Sequence, residues 1–408
     1  MSGAPRHVLV TDAGRGSAIA FIRSLGRRGW RVTAADTDRR SPGFRSRFAT
    51  DRLVYPAPST RADEAVEAIH DTVCRTGVDL VIPITDEIGL PIAAARDRFA
   101  GVAMLALPDA VALGVARDKA ATLALAERLG VPVPPTRVVT GADAAIAAAG
   151  ELGWPVVIKP QVSREARDDG TVDAFTVTYA SDAASLRERL APFEGRTGVL
   201  LQRWLPGEGH GVELLTHEGR PLAAFQHRRL REVPVTGGAS SLRESVALDP
   251  TLYRHATRLL AELRWTGLAM VEFRLTPSGP ELMEINGRVW GSLPLAVRAG
   301  MDFPGRLADL LFDGPPPPDT PVALTYRTGQ RARNLRLEVS WIGSVAAGRR
   351  RHPELPWPAR TRAIGAALRL LDPRIADDLF ARDDPAPGLA QLAAIARDAM
   401  TRGTRRGA

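Results

Sequence analysis

The stretch Glu281-Leu282-Met283-Glu284-Ile285-Asn286-Gly287-Arg288-Val289-Trp290-Gly291-Ser292 alternates with period two, as a strand does when successive side chains point to opposite faces. It turns Leu282, Glu284, Asn286 and Arg288 to one face and gives Met283, Ile285 and Val289 to the other, which suits a core. Just upstream, Leu268 to Leu275 alternates as well, with Glu272 and Arg274 on one face and Val271, Phe273 and Leu275 on the other. Pro277-Ser278-Gly279 between them reads as a three-residue hairpin loop. If Thr276 pairs with Pro280, counting back along the strands sets Glu272 opposite Glu284, and like charges so placed destabilise a hairpin. Two acids held side by side need a shared proton or a cation. With Asn286 on the same face, three hard oxygen donors converge, which points to magnesium or manganese with coordination positions left for water and phosphate oxygens. Arg288, one step on, is placed to reach a phosphate as a fork-shaped donor. The plainer alternative is an exposed hairpin whose acids pair with Arg274 and Arg288, and it leaves Asn286-Gly287 without a role.

The rest of the chain narrows the choice. Its 408 residues, 45% of them hydrophobic, suffice for several subdomains with a full core. No apolar run has the length of a membrane span, and Val8-Leu9-Val10 enters a strand pattern without a leader-like apolar stretch, so a cytoplasmic location is expected. The single cysteine, Cys74, excludes intrachain disulfides and multi-cysteine metal sites, and its place on the Val66, Ile69, Val73 helix pattern suggests a core or half-buried thiol. The net charge of +8 would fit nucleic acid, but the arginines are scattered, Arg349-Arg350-Arg351 and Arg405-Arg406 being short exceptions, and aromatics are 5%. Nucleic-acid binding is therefore not expected. Of 54 basic residues only Lys119 and Lys159 are lysines; a compact ammonium on a flexible stem suits a crowded phosphate site where a planar guanidinium does not.

Along the chain, residues 1–112 read as a doubly wound unit: strand Val8 to Thr11, turn Asp12 to Ser17, helix, strand Arg31 to Ala35, helix 62–76, strand Asp79 to Ile84. Gly14-Arg15-Gly16 with Asp36 is a weak dinucleotide pattern, lacking the third glycine. A helix from about Ala116 to Leu129 carries Lys119 and ends at the stiff connector Val131 to Pro135. A helix at 142–152, strand Pro155 to Lys159, strand Phe175 to Tyr179, helix 182–190 and strand Val199 to Gln202 follow, and Leu205 to Gly209 breaks the pattern. Strands Gly211 to Thr216 and Pro221 to Gln226, a helix opened by Asp249-Pro250, and the two alternating segments complete a third unit before the Pro315–Pro318 tract.

Lys119 in Ala-Arg-Asp-Lys, Lys159 in Val-Val-Ile-Lys-Pro, the segment Leu200 to Glu208, Glu272 in Val-Glu-Phe, and Glu284-Ile-Asn286-Gly-Arg288 together resemble the ATP-grasp superfamily over residues 6–312, nearest its carbamoyl-phosphate-synthase-like and carboxylate-amine ligase branch. The resemblance implies an α/β and α+β chain. A Rossmann-like N-terminal domain (1–112) precedes two ATP-grasp subdomains (113–205 and 206–314), followed by a C-terminal extension (315–408). It implies that Lys119 and Lys159 contact ATP phosphates, that Gln202, Arg203, Trp204 and Leu205 form the adenine hinge, and that Glu272, Glu284 and Asn286 bind magnesium or manganese. Arg288 would steady the transferred phosphate. The ribose acid of the family falls at Gly209, leaving Glu208 as the nearest candidate, and the loop Gln161 to Gly170 is charged where a glycine-rich lid is usual.

The implied reaction phosphorylates a small-molecule carboxylate to an acyl phosphate for attack by an amine. This is largely a matter of positioning and charge neutralisation. Arg229 and Arg231, read as sharing a strand face, Gly237, Gly238 and Ser292 are candidates for the substrate pocket. Asp12 to Ser17 and Thr85-Asp86-Glu87 are candidates for the second substrate, at the edge where open α/β sheets take ligands. A bicarbonate or carbamate acceptor, a nucleotide-binding module without turnover, and a homodimer stay open.

Overall fold

The computed structural model describes residues 5–166, 172–348 and 355–404. Part of the charged loop after Lys159 and both arginine runs fall outside them. Strands β1 (His7–Val10), β2 (Arg31–Asp36), β3 (Asp51–Val54), β4 (Leu80–Ile82) and β5 (Met104–Leu105) form a parallel sheet in the order β3-β2-β1-β4-β5. Val8 and Val10 pack on Phe21 and Leu25 of helix Gly16–Arg27. Leu9 and Val81 pack on Val66, Ile69 and Val73 of helix Ala62–Thr76, so both faces are covered. The strand order reverses between β1 and β4, which opens a crevice at their carboxyl ends between Asp12–Gly16 and Thr85–Glu87. Cys74 lies outside the buried stripe and is exposed, contrary to the expectation of a packed thiol. Asp36 accepts from the Gly14 N–H and the Ser41 hydroxyl through the same oxygen, at 2.7 and 2.8 Å, so it is engaged in closing its own turn.

The helix expected over 116–129 is two helices, Ala110–Arg117 and Lys119–Arg128. Asp118 separates them because its side chain caps the second by accepting from the Ala121 N–H, which fixes its backbone in an extended conformation. Lys119 is consequently the first residue of a helix.

A second sheet has the order β10-β7-β11-β6, from β6 (Thr136–Val139), β7 (Val156–Pro160), β10 (Thr178–Ala180) and β11 (Val199–Arg203). Beside it runs the hairpin β8 (Arg164–Ala166) and β9 (Val172–Ala174). Of the strand expected over 175–179, only Thr178 and Tyr179 are in a strand, β10, and Phe175 to Val177 connect β9 to it. Val156, Ile158 and Leu201 pack under the helices Ala142–Leu152 and Ala183–Leu190. Val157, Lys159 and Gln202 face the other way, toward a cleft.

The third sheet has seven strands in the order β16-β15-β12-β13-β14-β17-β18: β12 (Glu208–His217), β13 (Arg220–Val233), β14 (Ala239–Ser245), β15 (Gly267–Thr276), β16 (Gly279–Asn286), β17 (Arg331–Arg333) and β18 (Ile375–Asp377). Val212, Val271, Phe273, Leu282 and Ile285 bury one face against Leu252, Ala256 and Leu259 of helix Pro250–Glu262. Each such side chain contributes about 1.5–3 kcal/mol, which secures the strands that hold the polar face opposite. The segment after the proline tract is built into this sheet through β17 and β18. Its Trp341 packs with Val345, Ala363 and Ala366. Among the described residues no helix is long and apolar enough to cross a membrane.

Candidate active site

The β15–β16 hairpin sets Glu272 opposite Glu284, but by a different route from the simple count. Its turn is the two-residue Pro277-Ser278, with Thr276 paired to Gly279, which puts the tip one residue out of the expected register. A bulge between Leu282 and Glu284 restores it. The Leu282 N–H reaches across to the Pro132 carbonyl in the stiff connector at 2.8 Å. Leu282 therefore joins Ile285 in the core while Met283 is left half-buried, which reverses the faces expected for these two residues.

The Asn286 amide donates to the Glu272 carboxylate at 3.0 Å and to the Glu284 carboxylate at 3.1 Å, bridging the facing acids. Their environments differ. Burial raises the Glu272 carboxyl above the usual range, the Glu284 charge adds to that, and the Arg229 guanidinium opposes it. Burial acts on Glu284 too, but Lys119 and Lys159 outweigh it and hold that carboxyl below the usual range. Both lysines are buried, and the Lys119 ammonium donates to the Ser163 hydroxyl at 2.8 Å. Burial pushes the Lys159 ammonium down to about 8; Glu284 resists that shift and Lys119 reinforces it.

Arg288 lies beyond the end of β16. Gly287 is required there because an added Cβ would stand 2.6 Å from the Trp265 ring, and the chain turns past it. The Arg288 guanidinium donates to Asp86 at 2.8 Å and to the Val289 carbonyl at 3.0 Å. Asp86 opens the helix Asp86–Ala94 at the crevice of the parallel sheet, and the next residue, Glu87, pairs with Arg164 of β8 at 3.3 Å. Burial disfavours the Arg288 charge, but Asp86 more than compensates and holds the guanidinium above its ordinary pKa. A cleft of about 510 Å³ opens between Asp86, Lys119, Ser163, Glu284, Asn286 and Arg288. The positions singled out in four separate stretches of sequence thus meet around one space.

The remaining expected residues divide. Gln202 is buried and donates to the Thr136 hydroxyl at 2.9 Å, and the Arg203 side chain donates to the Leu152 carbonyl at 2.9 Å, so both side chains serve the scaffold. Trp204 packs against Val157, Tyr179 and Leu355, and Leu205 is half-buried beside it. Glu208 pairs in register with Leu275, two residues before His210 and Phe273, on the face away from Glu272. It lies 3.8 Å from His210 and does not meet the expectation of an acid in the cleft. Arg229 and Arg231 do not share a face: a bulge at Leu230 separates them. Arg231 turns away to pair with Glu338 and stack on Trp341 at 4.8 Å, so it leaves the candidate pocket. Arg229 turns in and contacts Glu272, Glu232 at 3.3 Å and the Gly238 carbonyl at 3.2 Å. Gly237 packs against Tyr179, where a Cβ would stand 3.1 Å from the hydroxyl. The buried Ser292 hydroxyl donates to Glu213 at 3.0 Å instead of capping its own helix.

Sequence reading missed the buried polar group around that contact. Glu213 lies 2.9 Å from the His227 ring, and Arg243 pairs with Asp378 just past β18. Burial holds the Glu213 carboxyl well above and the His227 imidazole well below their usual values. A signal was present: Gly209-x-Gly211-x-Glu213 and His227-x-Arg229 alternate on the Glu272 face, and a Cβ at Gly211 would collide with the His227 ring at 2.5 Å.

Comparison with known proteins places this geometry. Residues 196–335 match the family model described as "ATP-grasp in the biosynthetic pathway with Ter operon". The carbamoyl phosphate synthase large chain of Thermus thermophilus is 26% identical over 212 residues, covering 49% of this chain and 20% of that protein. The phosphoribosylamine–glycine ligase of Phenylobacterium zucineum is 30% identical over 203 residues, 44% of this chain and 46% of the relative. The chain therefore spans less than half the length of either relative. Among solved structures, the biotin carboxylase domain dimer of Hydrogenobacter thermophilus 2-oxoglutarate carboxylase, in complex with MgADP, ADP and bicarbonate, superposes with a TM-score of 0.62 at 17% identity, covering 81% of this chain and 74% of that one. Residues 196–335 thus match an ATP-grasp family model, and the chain shares the fold of the biotin carboxylase domain, with Lys119, Glu284 and Asn286 gathered around one cleft.

Proposed function

We propose that the chain is an ATP-dependent ligase that phosphorylates a small-molecule carboxylate to an acyl phosphate, which an amine attacks to form an amide with release of ADP and phosphate. The parallel-sheet unit (1–112) would present the second substrate, the units 113–205 and 206–314 would clamp ATP, and 315–408 would complete the third sheet. The observation that carries this reading is the pair Glu272 and Glu284, held face to face with one amide bridging them and both lysines beside them. Such a set fits a hard divalent cation carrying phosphate oxygens, with Asn286 turning its amide oxygen inward to complete the donors.

In this reading the cation neutralises the charge on the phosphates, and the chain's own groups do the rest. Lys119 and Lys159 receive phosphate oxygens as point charges, and backbone groups of Gln202 to Leu205 meet the adenine. Arg288, held by Asp86, directs its fork at the phosphoryl group in transfer. A homodimer is proposed by analogy with the dimeric neighbour. That neighbour's bicarbonate complex favours one further reading, in which the acceptor is bicarbonate and the product of the first step is carboxyphosphate.

The test is a screen for magnesium-dependent ADP release with amino acids, small carboxylic acids and bicarbonate, each with and without amines. Stimulation by a carboxylate and amine pair supports ligation, and stimulation by bicarbonate alone supports the second reading. ATP binding with no turnover under any of them would leave a nucleotide-binding module.

Lys159 sets a pH dependence. With its ammonium lowered to about 8 by burial, the group is charged at pH 7 and mostly neutral at pH 9. Its attraction for phosphate is present below about pH 8 and lost above it. MgADP affinity, measured by calorimetry, should fall roughly tenfold between pH 7 and 9. Lys159→Arg, whose guanidinium stays charged throughout, should flatten the profile even if its overall affinity is lower.

A further inference from the structure

Arg229 is the one cation touching Glu272 among the described contacts, and it does so from a largely buried position. Its guanidinium has three acceptors: Glu272, Glu232 and the Gly238 carbonyl. Only the first belongs to the proposed metal set. The Glu232 carboxylate is also held by Arg274 at 3.8 Å, so it stays in place whether or not Glu272 does. On the far side of Glu272 the hairpin supplies Glu284 and Asn286, and Arg229 touches neither. The buried acid pair therefore has an internal counter-charge on one carboxylate, anchored at its other end to groups that take no part in the metal site.

From this geometry we infer that Arg229 holds the place of the divalent cation on Glu272 and is displaced from it when the metal loads. On release it keeps Glu232 and the Gly238 carbonyl and turns its freed N–H groups to the acceptor carboxylate. The inference rests on the proposed function and adds an order of events: metal-nucleotide first, carboxylate second. The physical reason is simple. A guanidinium and a dication on one buried carboxylate repel each other, so each weakens the other's hold, and the coupling is reciprocal.

Two cations competing for one carboxylate give an outcome that a structural ion pair does not. Free Mn2+ is titrated by electron paramagnetic resonance, without nucleotide, against the wild-type chain, Arg229→Met, Arg229→Lys and Glu284→Gln. Arg229→Met removes the competitor and should bind Mn2+ roughly tenfold more tightly than wild type. Arg229→Lys, a shorter cation without the fork, should shift affinity in the same direction by a smaller factor, and it serves as the test if Arg229→Met does not fold. Unchanged or weaker Mn2+ binding in a folded Arg229 variant overturns the inference while leaving the ligase reading intact. Absence of Mn2+ binding to wild type, or binding insensitive to Glu284→Gln, overturns the metal assignment and the inference with it.

Discussion

Replacing Glu284 by glutamine is expected to lower magnesium-dependent ADP release by about 100- to 1,000-fold at saturating ATP. The size follows from how much converges on this carboxylate. Lys119 and Lys159 both stabilise its charge, Asn286 donates to it, and it faces Glu272 across the hairpin. Glutamine keeps the shape and the strand but removes the negative charge. A bound metal would lose one of two carboxylates, and the Lys159 ammonium would lose the anion that offsets its burial. The variant should keep its thermal transition within a few degrees, because the hairpin is held by Leu282, Ile285, Val271 and Phe273 on the opposite face. Substrate-stimulated ADP formation at the wild-type rate would remove Glu284 from the site.

Arg288→Met is expected to reduce kcat by about 100-fold or more with little change in MgADP affinity, since in the proposed reaction its fork would meet the phosphoryl group in transfer and not the bound nucleotide. Arg288→Lys should recover only part of the loss, because an ammonium cannot hold Asp86 and a phosphate oxygen in one plane. Asp86→Asn gives the graded companion. It leaves the guanidinium present but weakens a 2.8 Å charge-assisted bond that aims it from the parallel sheet, so kcat should fall by a smaller factor. Single-turnover measurement of ADP formation separates these effects from product release. An Arg288→Met variant with unaltered single-turnover rate would assign the phosphate role to another residue.

What the sequence disclosed is what period and spacing can carry. The parallel unit, the facing acids and the two lysines follow from alternation, from turn residues and from a composition nearly empty of lysine. Two of the errors share a source. Uninterrupted alternation misplaces Arg231 and Leu282, and each lies beside a bulge whose cause is elsewhere in the chain: a Pro132 carbonyl taking the Leu282 N–H, and Glu338 with Trp341 drawing Arg231 outward. Glu208 is next to Gly209 in sequence, but neighbours along a strand point to opposite faces. The Arg243–Asp378 pair joins residues far apart along the chain, and no local pattern announces it. The Arg288–Asp86 bond is of the same kind, although each residue stands out in the sequence for a separate reason.

The bulge at Met283 separates two lengths that a hairpin normally ties together. The tip, Thr276 to Gly279, keeps its own pairing, while the acids are aligned by a second adjustment nearer the connector. Loop length can therefore vary without moving the carboxylates out of alignment, provided the Thr276–Gly279 pair is kept. A chain with one more residue in the turn and none in the bulge would present the same two acids to each other. A deletion at Met283 alone would remove the bulge and leave both the turn and the Glu272–Glu284 pairing in place. The bulged residue should accordingly be dispensable to the facing of the two acids, with no compensating insertion at the tip.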